Sequence, residues 1–515
     1  MSGLAATSHP RASEAAIAVL RSGGNAVDAA VCAAAVLAVV EPYASGLGGD
    51  CFAIVVPSGD LAKTVAYNGS GRAPAGADPD ELWDRGVARI QPASALAVTI
   101  PGAVEAWCRL VDDHGSRALG ALLAPAIQAA EDGFEVTAKV AQSWSRWARR
   151  LAADPDAAAR LLPHGRAPRP GERHANDALA GTLRKVAADG AAGFYEGSVA
   201  DDLVDRLRAA GGPHTSADFA AARGEYVQPV SRSYRGAQVW ECPPNGQGVA
   251  ALQLLGILES FPAAGWDPLG AERHHVLAEA TRAVLGDRDA HVSDPATAPC
   301  PPAELLSPAH IQRLRDAIDP VRAATWAPMP APQHRDTTYL AVIDADGTLV
   351  SFISSLFDPF GSGILGPRSG VLLHSRGAGF VLEPGHPNRL GPRRRPMHTI
   401  MPALARLEDG RLLAFGVTGG NYQPTGQAYV LGNLVDHGME LQAAVDLPRS
   451  HPTAEALIAE RGLPLATKAA LAAKGHAVRA AREPVGSAQI AALDPRTGAL
   501  DGAADARRDG CVLRA

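Results

Sequence analysis

Two consecutive threonines, Thr337 and Thr338, end a proline-rich polar segment and begin the alternating apolar stretch TTYLAVID. Threonine is favoured in strands, so one interpretation is only that a strand starts here. The other is chemical. If the chain is cut between Asp336 and Thr337, a hydroxyl and a free α-amine stand on the same residue. An α-amine has a pKa of about 7.7–8.0, so it can accept the hydroxyl proton near neutral pH and make Thr337 a nucleophile.

A nucleophile that attacks an amide also needs hydrogen-bond donors for the negative charge that develops on the carbonyl oxygen. The segment GVTGGNYQPTGQ at 416–427 lies between a strand pattern and a helix pattern. Gly419 and Gly420 have no side chain there, so their N–H groups can approach a substrate closely. We take these two glycines as candidate oxyanion donors.

The elements that position these residues follow from the apolar patterns. NAVDAAVCAAAVLAVV predicts a buried helix that ends before Pro42, and Ser13 is the expected cap of the helix before it. Alternation and turn residues predict hairpins at 51–68, 337–355 and 398–417, a helix near 425–445 and a last strand pair near 487–515. The stretch from about 100 to 290 is predicted to be mostly helical, and 292–335 an exposed excursion. Strand pairs near both ends predict stacked sheets between helical layers.

Composition excludes several classes of function. The chain has 515 residues, of which 47% are apolar and 20% are charged, and its net charge is −6. These values predict a globular protein that does not bind nucleic acid. The longest apolar run is Ala29–Val40. A helix that spans a bilayer needs roughly 20 residues, so this run is too short.

The ends of the chain and its thiols add to this picture. The first residues do not have the pattern of a secretory signal. The six cysteines are scattered without a CxxC pair. We therefore expect a cytoplasmic protein with reduced thiols, no disulfide framework and no membrane partner.

Several motifs together resemble the γ-glutamyltranspeptidase family of N-terminal-nucleophile hydrolases. They are GGNAVDAAVCAAAVLAVVEPYASGLGGDCFAIV, IPGAVEAW, DTTYLAVIDADG, FGSGILGPRSGVLL, RRPMHTIMPAL and TGG, in the family's order. The resemblance implies an α+β fold, a four-layer α-β-β-α sandwich, and no cofactor or metal. It also implies self-cleavage into a large subunit (1–336) and a small subunit (337–515), which share one sandwich as a heterodimer that could dimerise again.

The resemblance also implies site residues. Thr337 corresponds to the nucleophile and first residue of the small subunit, and cleavage would fall between Asp336 and Thr337. Ser355 stands where the family has a threonine that hydrogen-bonds the nucleophile. Gly419 and Gly420 correspond to the oxyanion pair.

The departures from the family concern the substrate. Residues that hold the α-carboxylate and α-amine of a glutamyl group are replaced, at the positions of Ser70, Phe357, Arg376, Gly379, His398 and Thr399, and Arg72 lies close to the first of them. Acceptors for an ammonium group are lost and cations are gained, and a guanidinium suits a carboxylate. Arg376, Arg72, His398 and Thr399 are therefore the candidate substrate-binding residues.

These departures are similar to those in the subgroup that includes oxamate amidohydrolase and glutathione-hydrolase-like proteins. The favoured substrate is thus a small carboxylate-bearing amide resembling oxamate. The alternatives are a γ-glutamyl (glutathione) hydrolase or transpeptidase and, outside the enzymes, an unprocessed binding scaffold.

Two further clusters were weighed as sites. His274, His275, Asp287, Asp289 and His291 could supply metal ligands, but adjacent histidines on a helix point apart, so a structural helix is preferred. GLGGD at 46–50 could approach a phosphate, but it lacks the spacing of a dinucleotide site, so tight turns before a strand are preferred.

Overall fold

The structure is a computed structural model that describes residues 3–297, 301–325 and 336–515. Its strands are β1 (Leu4–Thr7), β2 (Asp50–Val56), β3 (Val65–Gly69), β4 (Phe134–Glu135), β5 (Arg173–His174), β6 (Glu225–Val227), β7 (Val230–Tyr234), β8 (Ala237–Glu241), β9 (Thr338–Ile343), β10 (Leu349–Ser355), β11 (Ala403–Arg406), β12 (Leu412–Val417), β13 (Ser450–Pro452), β14 (Leu457–Ala459), β15 (Val478–Ala480), β16 (Ala488–Asp494), β17 (Ala499–Ala504) and β18 (Cys511–Arg514).

The first helices, up to β6, are α1 (Pro10–Arg21), α2 (Ala26–Val40), α3 (Pro79–Asp84), α4 (Ala103–His114), α5 (Leu119–Glu131), α6 (Ala138–Ala152), α7 (Pro155–Leu161), α8 (Asp177–Asp189), α9 (Ala192–Tyr195), α10 (Gly197–Ala209) and α11 (Ser216–Ala220). They are followed by α12 (Gly248–Leu258), α13 (Ala271–His291), α14 (Pro302–Leu305), α15 (Pro308–Asp316), α16 (Gln423–Val435), α17 (Leu441–Asp446) and α18 (Leu465–Ala473). No helix in the described ranges combines the length and the apolar character needed to cross a membrane.

Two large antiparallel sheets form the centre of the molecule. Seven strands lie in the order β18-β1-β9-β10-β2-β3-β6, and six lie in the order β17-β16-β12-β11-β8-β7. We call them the first and the second sheet. Small sheets β13-β14-β15 and β4-β5 lie outside this pair.

Three buried apolar clusters separate four layers. One cluster lies between the sheets and includes Phe52 and Tyr339 from the first sheet and Leu404 and Ala414 from the second. A second cluster packs the outer face of the first sheet against α1, α2, α4, α5 and neighbouring helices. A third packs the outer face of the second sheet against α12, α13 and α16. This is the expected α-β-β-α sandwich, which the structure confirms.

The strand register brings distant parts of the chain to one end of the sandwich. In the first sheet, Thr338 at the start of β9 pairs with Ser354, and Ser355 at the end of β10 pairs with Asp50 at the start of β2. In the second sheet, β12 ends at Val417, which pairs with Ala488 at the start of β16. Residues that follow β8 and β12 or precede β9 and β11 therefore gather at this end.

Several local predictions are confirmed. The helix α2 is buried along its whole length, and the strand pairs β2–β3, β9–β10 and β11–β12 form as expected. The last strand pair is β16–β17, and an unexpected third strand, β18, crosses to pair with β1.

Other local predictions are wrong. The helix α1 begins at Pro10 and is capped by His9, because the His9 ring accepts the Arg11 N–H, whereas Ser13 lies buried inside the helix. The region from 100 to 290 is mostly helical, which confirms that prediction, but it also contains the short strands β4 to β8, of which β6, β7 and β8 join the two large sheets. The helix near 425–445 is two helices, α16 and α17, and the excursion contains α14 and α15. The proline-rich part of that excursion, 326–335, lies outside the described residues.

Candidate active site

Three hydrogen-bonding groups surround the predicted cleavage bond. The Thr337 hydroxyl lies 2.8 Å from the carbonyl oxygen of Asp336 and 3.1 Å from the Ser355 hydroxyl. Ser355 donates to the same carbonyl oxygen at 3.2 Å and accepts the Phe357 N–H at 2.9 Å. Thr337 and Ser355 are 3% and 1% exposed. Two hydroxyls thus converge on the carbonyl that self-cleavage would attack, and both can polarise it.

The two candidate oxyanion glycines form the turn between β12 and α16. Gly419 has φ +119° and Gly420 has φ +60°. Both values lie in the left-handed region that glycine adopts at least cost. A Cβ on Gly419 would lie 3.2 Å from the Gly486 Cα and 3.3 Å from the Tyr422 Cβ. The turn therefore requires a residue without a side chain. The absence of a side chain also lets the backbone N–H groups of the turn approach a ligand closely.

Arg376 is a fully buried cation beside this end of the sheets. Its guanidinium donates to the Thr399 hydroxyl at 2.9 Å and lies 3.9 Å from the centre of the Phe357 ring. Nε and Nη2 are buried and make no hydrogen bond with the described residues. Burial lowers the pKa of Arg376 to about 9, while Asp50 and Asp358 counter the shift. At neutral pH the group is charged and has unused donors.

Phe357 supports this arrangement with an unusual backbone. Its φ is 77°. This positive value is a conformation that a bulky residue rarely adopts. Its N–H is bound to Ser355 and its ring lies against Arg376. One residue thus connects Thr337 and Ser355 to the buried cation, and strained backbone of this kind is common at functional sites.

Asp50 is the counter-ion of Arg376 and was not identified from the sequence. Its carboxylate accepts N–H groups from Gly71 and Gly102 at 3.0 and 3.2 Å and lies 3.8 Å from the Arg376 Nε. Burial alone would raise the pKa of Asp50, but His374 and His398 lower it well below its usual value. The only signal in the sequence was an acidic residue directly before an apolar strand, in GLGGD.

His398 contacts Asp50, not an open space. Its Nε2 lies 2.9 Å from the Asp50 carboxylate, and its Nδ1 accepts the Ile400 N–H at 3.3 Å. Burial lowers the pKa of His398 to about 3, with Arg376 adding to the shift. The ring is neutral with both nitrogens engaged, so the geometry favours a role in positioning Asp50 over the expected contact with substrate.

Thr399 lies between Arg376 and the glycine turn. Its hydroxyl holds Arg376, and its carbonyl accepts the Gln247 side-chain amide at 2.6 Å. The same amide donates to the Gly420 carbonyl at 3.0 Å. Gln247, which the sequence did not identify, therefore connects the oxyanion turn to the cation site.

A second buried arginine fixes Gln247. Arg288 donates to the Gln247 side-chain oxygen at 2.6 Å and to the Asn421 side-chain oxygen at 2.8 Å. It comes from α13, whose other polar residues suggested a metal site, and no sequence pattern marked it.

Arg72 is not brought into this cluster. It lies 3.4 Å from the Asp294 carboxylate, donates to the Arg393 carbonyl at 3.1 Å, and its side chain is 41% exposed. Its partners are not the residues around Thr337, whereas Arg376 is buried beside them and has donors that make no hydrogen bond with the described residues. Between the two candidate arginines, the geometry favours Arg376 as the one that meets a carboxylate.

Of the α13 residues considered as metal ligands, for which a structural helix was preferred, His275 belongs to a group of three possible ligands. Among the described residues, His275, Glu279 and His476 bring possible ligand atoms within 4.8 Å of one another. His275 Nδ1 and His476 Nε2 lie 2.7 Å apart, and His275 Nε2 lies 2.8 Å from the Asp319 carbonyl. These distances describe a chain of hydrogen bonds, and we assign no metal role to it.

Comparison with known proteins places this geometry in a family. A family model described as gamma-glutamyltranspeptidase matches residues 12–515. The oxamate amidohydrolase proenzyme of Klebsiella pneumoniae is 38% identical, over 99% of this chain and 98% of that protein. The glutathione hydrolase-like YwrD proenzyme of Bacillus subtilis is also 38% identical, over 86% of this chain and 83% of that protein.

A solved structure agrees with these matches. The cephalosporin acylase of Bacillus halodurans superposes with a TM-score of 0.92 and 36% identity, covering 99% of this chain and 95% of that one. The family model, the relatives and the superposition span nearly the same length. They show that this chain is a hydrolase of the gamma-glutamyltranspeptidase family.

Proposed function

We propose that the chain cuts itself between Asp336 and Thr337 and that the freed Thr337 then hydrolyses the amide of a small carboxylate-bearing substrate resembling oxamate. The observation that carries the substrate is Arg376, a buried cation with donors that no described residue uses. A carboxylate is the ligand that a guanidinium with two free donors binds best.

The steps follow from the positions of the side chains. Thr337 Oγ attacks the amide carbon while its own α-amine takes the hydroxyl proton, and Ser355 holds the hydroxyl in place. The N–H groups of the Gly419–Gly420 turn stabilise the oxyanion. Ammonia leaves with the proton, and water then hydrolyses the ester to release the acid and free Thr337.

The two fragments would remain together as a heterodimer. Residues 337–515 supply β9, β10 and β18 to the first sheet, where they alternate with β1 and β2 of residues 1–336. The second sheet likewise joins β11 of the small fragment to β8 of the large one. Separation of the fragments would break both sheets. Cleavage is therefore expected to change the site around Thr337 while the two fragments stay associated.

The alternative substrate is a γ-glutamyl compound such as glutathione, whose γ-glutamyl group the enzyme would hydrolyse or transfer to an amine. Relatives named glutathione hydrolase proenzymes are 30% identical to this chain. A glutamyl α-ammonium would need a carboxylate beside Arg376. Both carboxylates near Arg376 are engaged: Asp50 accepts the Gly71 and Gly102 N–H groups, and Asp358 accepts the Ser375 hydroxyl at 3.0 Å and lies 3.6 Å from Arg150. Added positive charge and engaged acceptors favour a substrate without an amine.

We also propose that the protein works in the cytoplasm. The cysteines of the described ranges, Cys32, Cys51, Cys108, Cys242 and Cys511, are free thiols, as is usual in a reducing compartment.

The test compares substrates on one preparation of processed enzyme. Ammonia release from oxamate and glutamate release from glutathione give two values of kcat/KM. The proposal expects oxamate to exceed glutathione by about a hundredfold, the equivalent of about 3 kcal/mol for an uncompensated buried charge. Efficient cleavage of glutathione without cleavage of oxamate would establish the alternative.

A further inference from the structure

The residue before the cleavage bond is held by an arginine of the other fragment. Arg508 donates to the Asp336 carboxylate and to the Tyr43 hydroxyl, and its guanidinium lies 5.0 Å from the centre of the Tyr43 ring. Tyr43 in turn donates to Glu41 at 2.9 Å. Asp336 and Tyr43 are buried, and the Arg508 side chain is 14% exposed. The scissile residue is thus fixed through its backbone carbonyl and through its side chain.

Self-cleavage makes Asp336 the first acyl group that Thr337 carries. When Thr337 Oγ attacks the Asp336 carbonyl carbon, a C–O ester bond forms, the C–N bond breaks, and the amine stays on Thr337. Water then cleaves the ester to an Asp336 carboxylate and the free hydroxyl. The ester of turnover joins an acyl carbon to the same oxygen atom. The Asp336 acyl group, whose carbonyl oxygen lies at the Thr337 and Ser355 hydroxyls, therefore shows a region that an acyl chain on this oxygen can reach, and it serves as a template for the acyl chain of a substrate.

The template has a defined chemical form. From the acyl carbon of Asp336, two carbons (Cα and Cβ) lead to the carboxylate that Arg508 holds. This is the skeleton of a succinyl group. Arg508 belongs to residues 337–515 and Tyr43 to 1–336, so both remain in the heterodimer when Asp336 moves out. Arg508 then loses its carboxylate partner, and Tyr43 continues to orient it.

We propose that Arg508 binds the carboxylate of acyl chains longer than that of oxamate in the processed enzyme, so that among these chains the acyl site selects amides with two carbons between the acyl carbon and the carboxylate. This rests on the proposed function, since it assumes that Thr337 hydrolyses carboxylate-bearing amides. The proposal adds a second cation to the site. Arg508 contacts Asp336, the residue before Thr337, whereas Arg376 is connected to Thr337 by the contacts of Phe357 and Ser355. Hydrolysis of succinamate by this route consumes one water and yields succinate and ammonium.

The test varies only the spacing between amide and carboxylate. In malonamate, succinamate and glutaramate, one, two and three methylene groups separate the acyl carbon from the carboxylate. Ammonia release by wild-type processed enzyme gives kcat/KM for each of the three. Succinamate is expected to exceed both neighbours by about tenfold, the usual effect of one misplaced methylene. A flat or monotonic series, or no turnover of any of the three, overturns the proposal.

Two variants assign the effect to Arg508. Arg508→Lys keeps the charge but removes the planar fork that holds the carboxylate with one nitrogen and the Tyr43 hydroxyl with the other, so the kcat/KM for succinamate should fall to about that of its neighbours. Arg411→Lys, at an exposed arginine of the turn between β11 and β12, is the matched control, and the preference should persist. A preference that survives Arg508→Lys also overturns the proposal.

The wild-type series decides the question even if Arg508→Lys fails to self-cleave. Different results would refute the role of Arg508 and the proposed function. Oxamate turnover without a succinamate optimum refutes only the role of Arg508, whereas glutathione turnover far above every carboxylate amide refutes the proposed function.

Discussion

Replacing Arg376 tests the substrate assignment most specifically. Arg376→Gln removes the buried charge and leaves a shorter, neutral polar side chain. If the free Nε and Nη2 donors bind the carboxylate of the substrate, their loss should raise KM for oxamate. The machinery around Thr337 and Ser355 is not altered, so cleavage of the precursor should continue.

The expected magnitude follows from the burial of the pair. Truncating one partner of a buried, hydrogen-bonded charge pair costs about 2–5 kcal/mol, which at about 1.4 kcal/mol per tenfold is roughly 30-fold to several thousand-fold in kcat/KM. The low end applies if water enters the space left by the guanidinium. Arg376→Lys restores the charge without the planar fork and should recover part of the loss.

The assay is steady-state ammonia release from oxamate, normalised to the fraction of cleaved protein. Arg72→Ala is the comparison, because Arg72 is already paired with Asp294 and half exposed, and its loss should be much smaller. Circular dichroism and the extent of cleavage report whether Arg376→Gln has folded. A folded, cleaved Arg376→Gln enzyme with unchanged KM would refute the assignment, as would a larger effect from Arg72→Ala.

Three further predictions follow from the site and the buried histidines. Ser355→Ala should slow cleavage, turnover or both by about tenfold to a hundredfold, the value of one hydrogen bond to a reacting group, while Ser355→Thr should be tolerated; unchanged time courses on denaturing gels and in ammonia release would exclude this role. Gly419→Ala places a Cβ at φ +119°. Turnover by the cleaved protein should therefore fall strongly, and a normal kcat would contradict the oxyanion assignment. Burial lowers the pKa of His214 to about 4 and that of His274 to about 3, both from an ordinary value of 6.5. The unfolded chain takes up these protons first, so stability should fall as pH drops below the ordinary value, by roughly 1.4 kcal/mol per pH unit and histidine. Equal denaturation midpoints at pH 7.5 and 5.5 would contradict that result.

The sequence was informative where one local pattern decides the structure. The α2 helix is apolar on all sides and is buried on all sides, and the Asp346–Gly347 turn makes the β9–β10 hairpin a local event. The Thr337–Ser355 contact follows from that hairpin, because the start of one strand lies beside the end of the next. These features needed no information about distant residues.

The rest depends on contacts between distant parts of the chain. Asp50 meets Arg376 only because the segment before β2 lies beside the segment before Arg376, where the His374 N–H donates to the Gly48 carbonyl. Arg288 meets Gln247 only because α13 packs on α12. The short strands β6 to β8 have weak patterns of their own and are stabilised by the sheets they join. Neither the pairing of Arg72 with Asp294 nor the burial of His398 can be read from residue type, so the substrate-binding residues were the least predictable part of the site.

The central claim is that Thr337 frees its own amine and then acts as the nucleophile. Intact-mass analysis and N-terminal sequencing of the purified enzyme test it most directly, with Thr337→Ala as the matched variant. The wild type should consist of two associated fragments, 1–336 and 337–515, the second beginning with Thr337, and Thr337→Ala should remain a single inactive chain. A fully active preparation of uncut chains, or a Thr337→Ala protein that still cleaves and hydrolyses its substrate, would contradict the account.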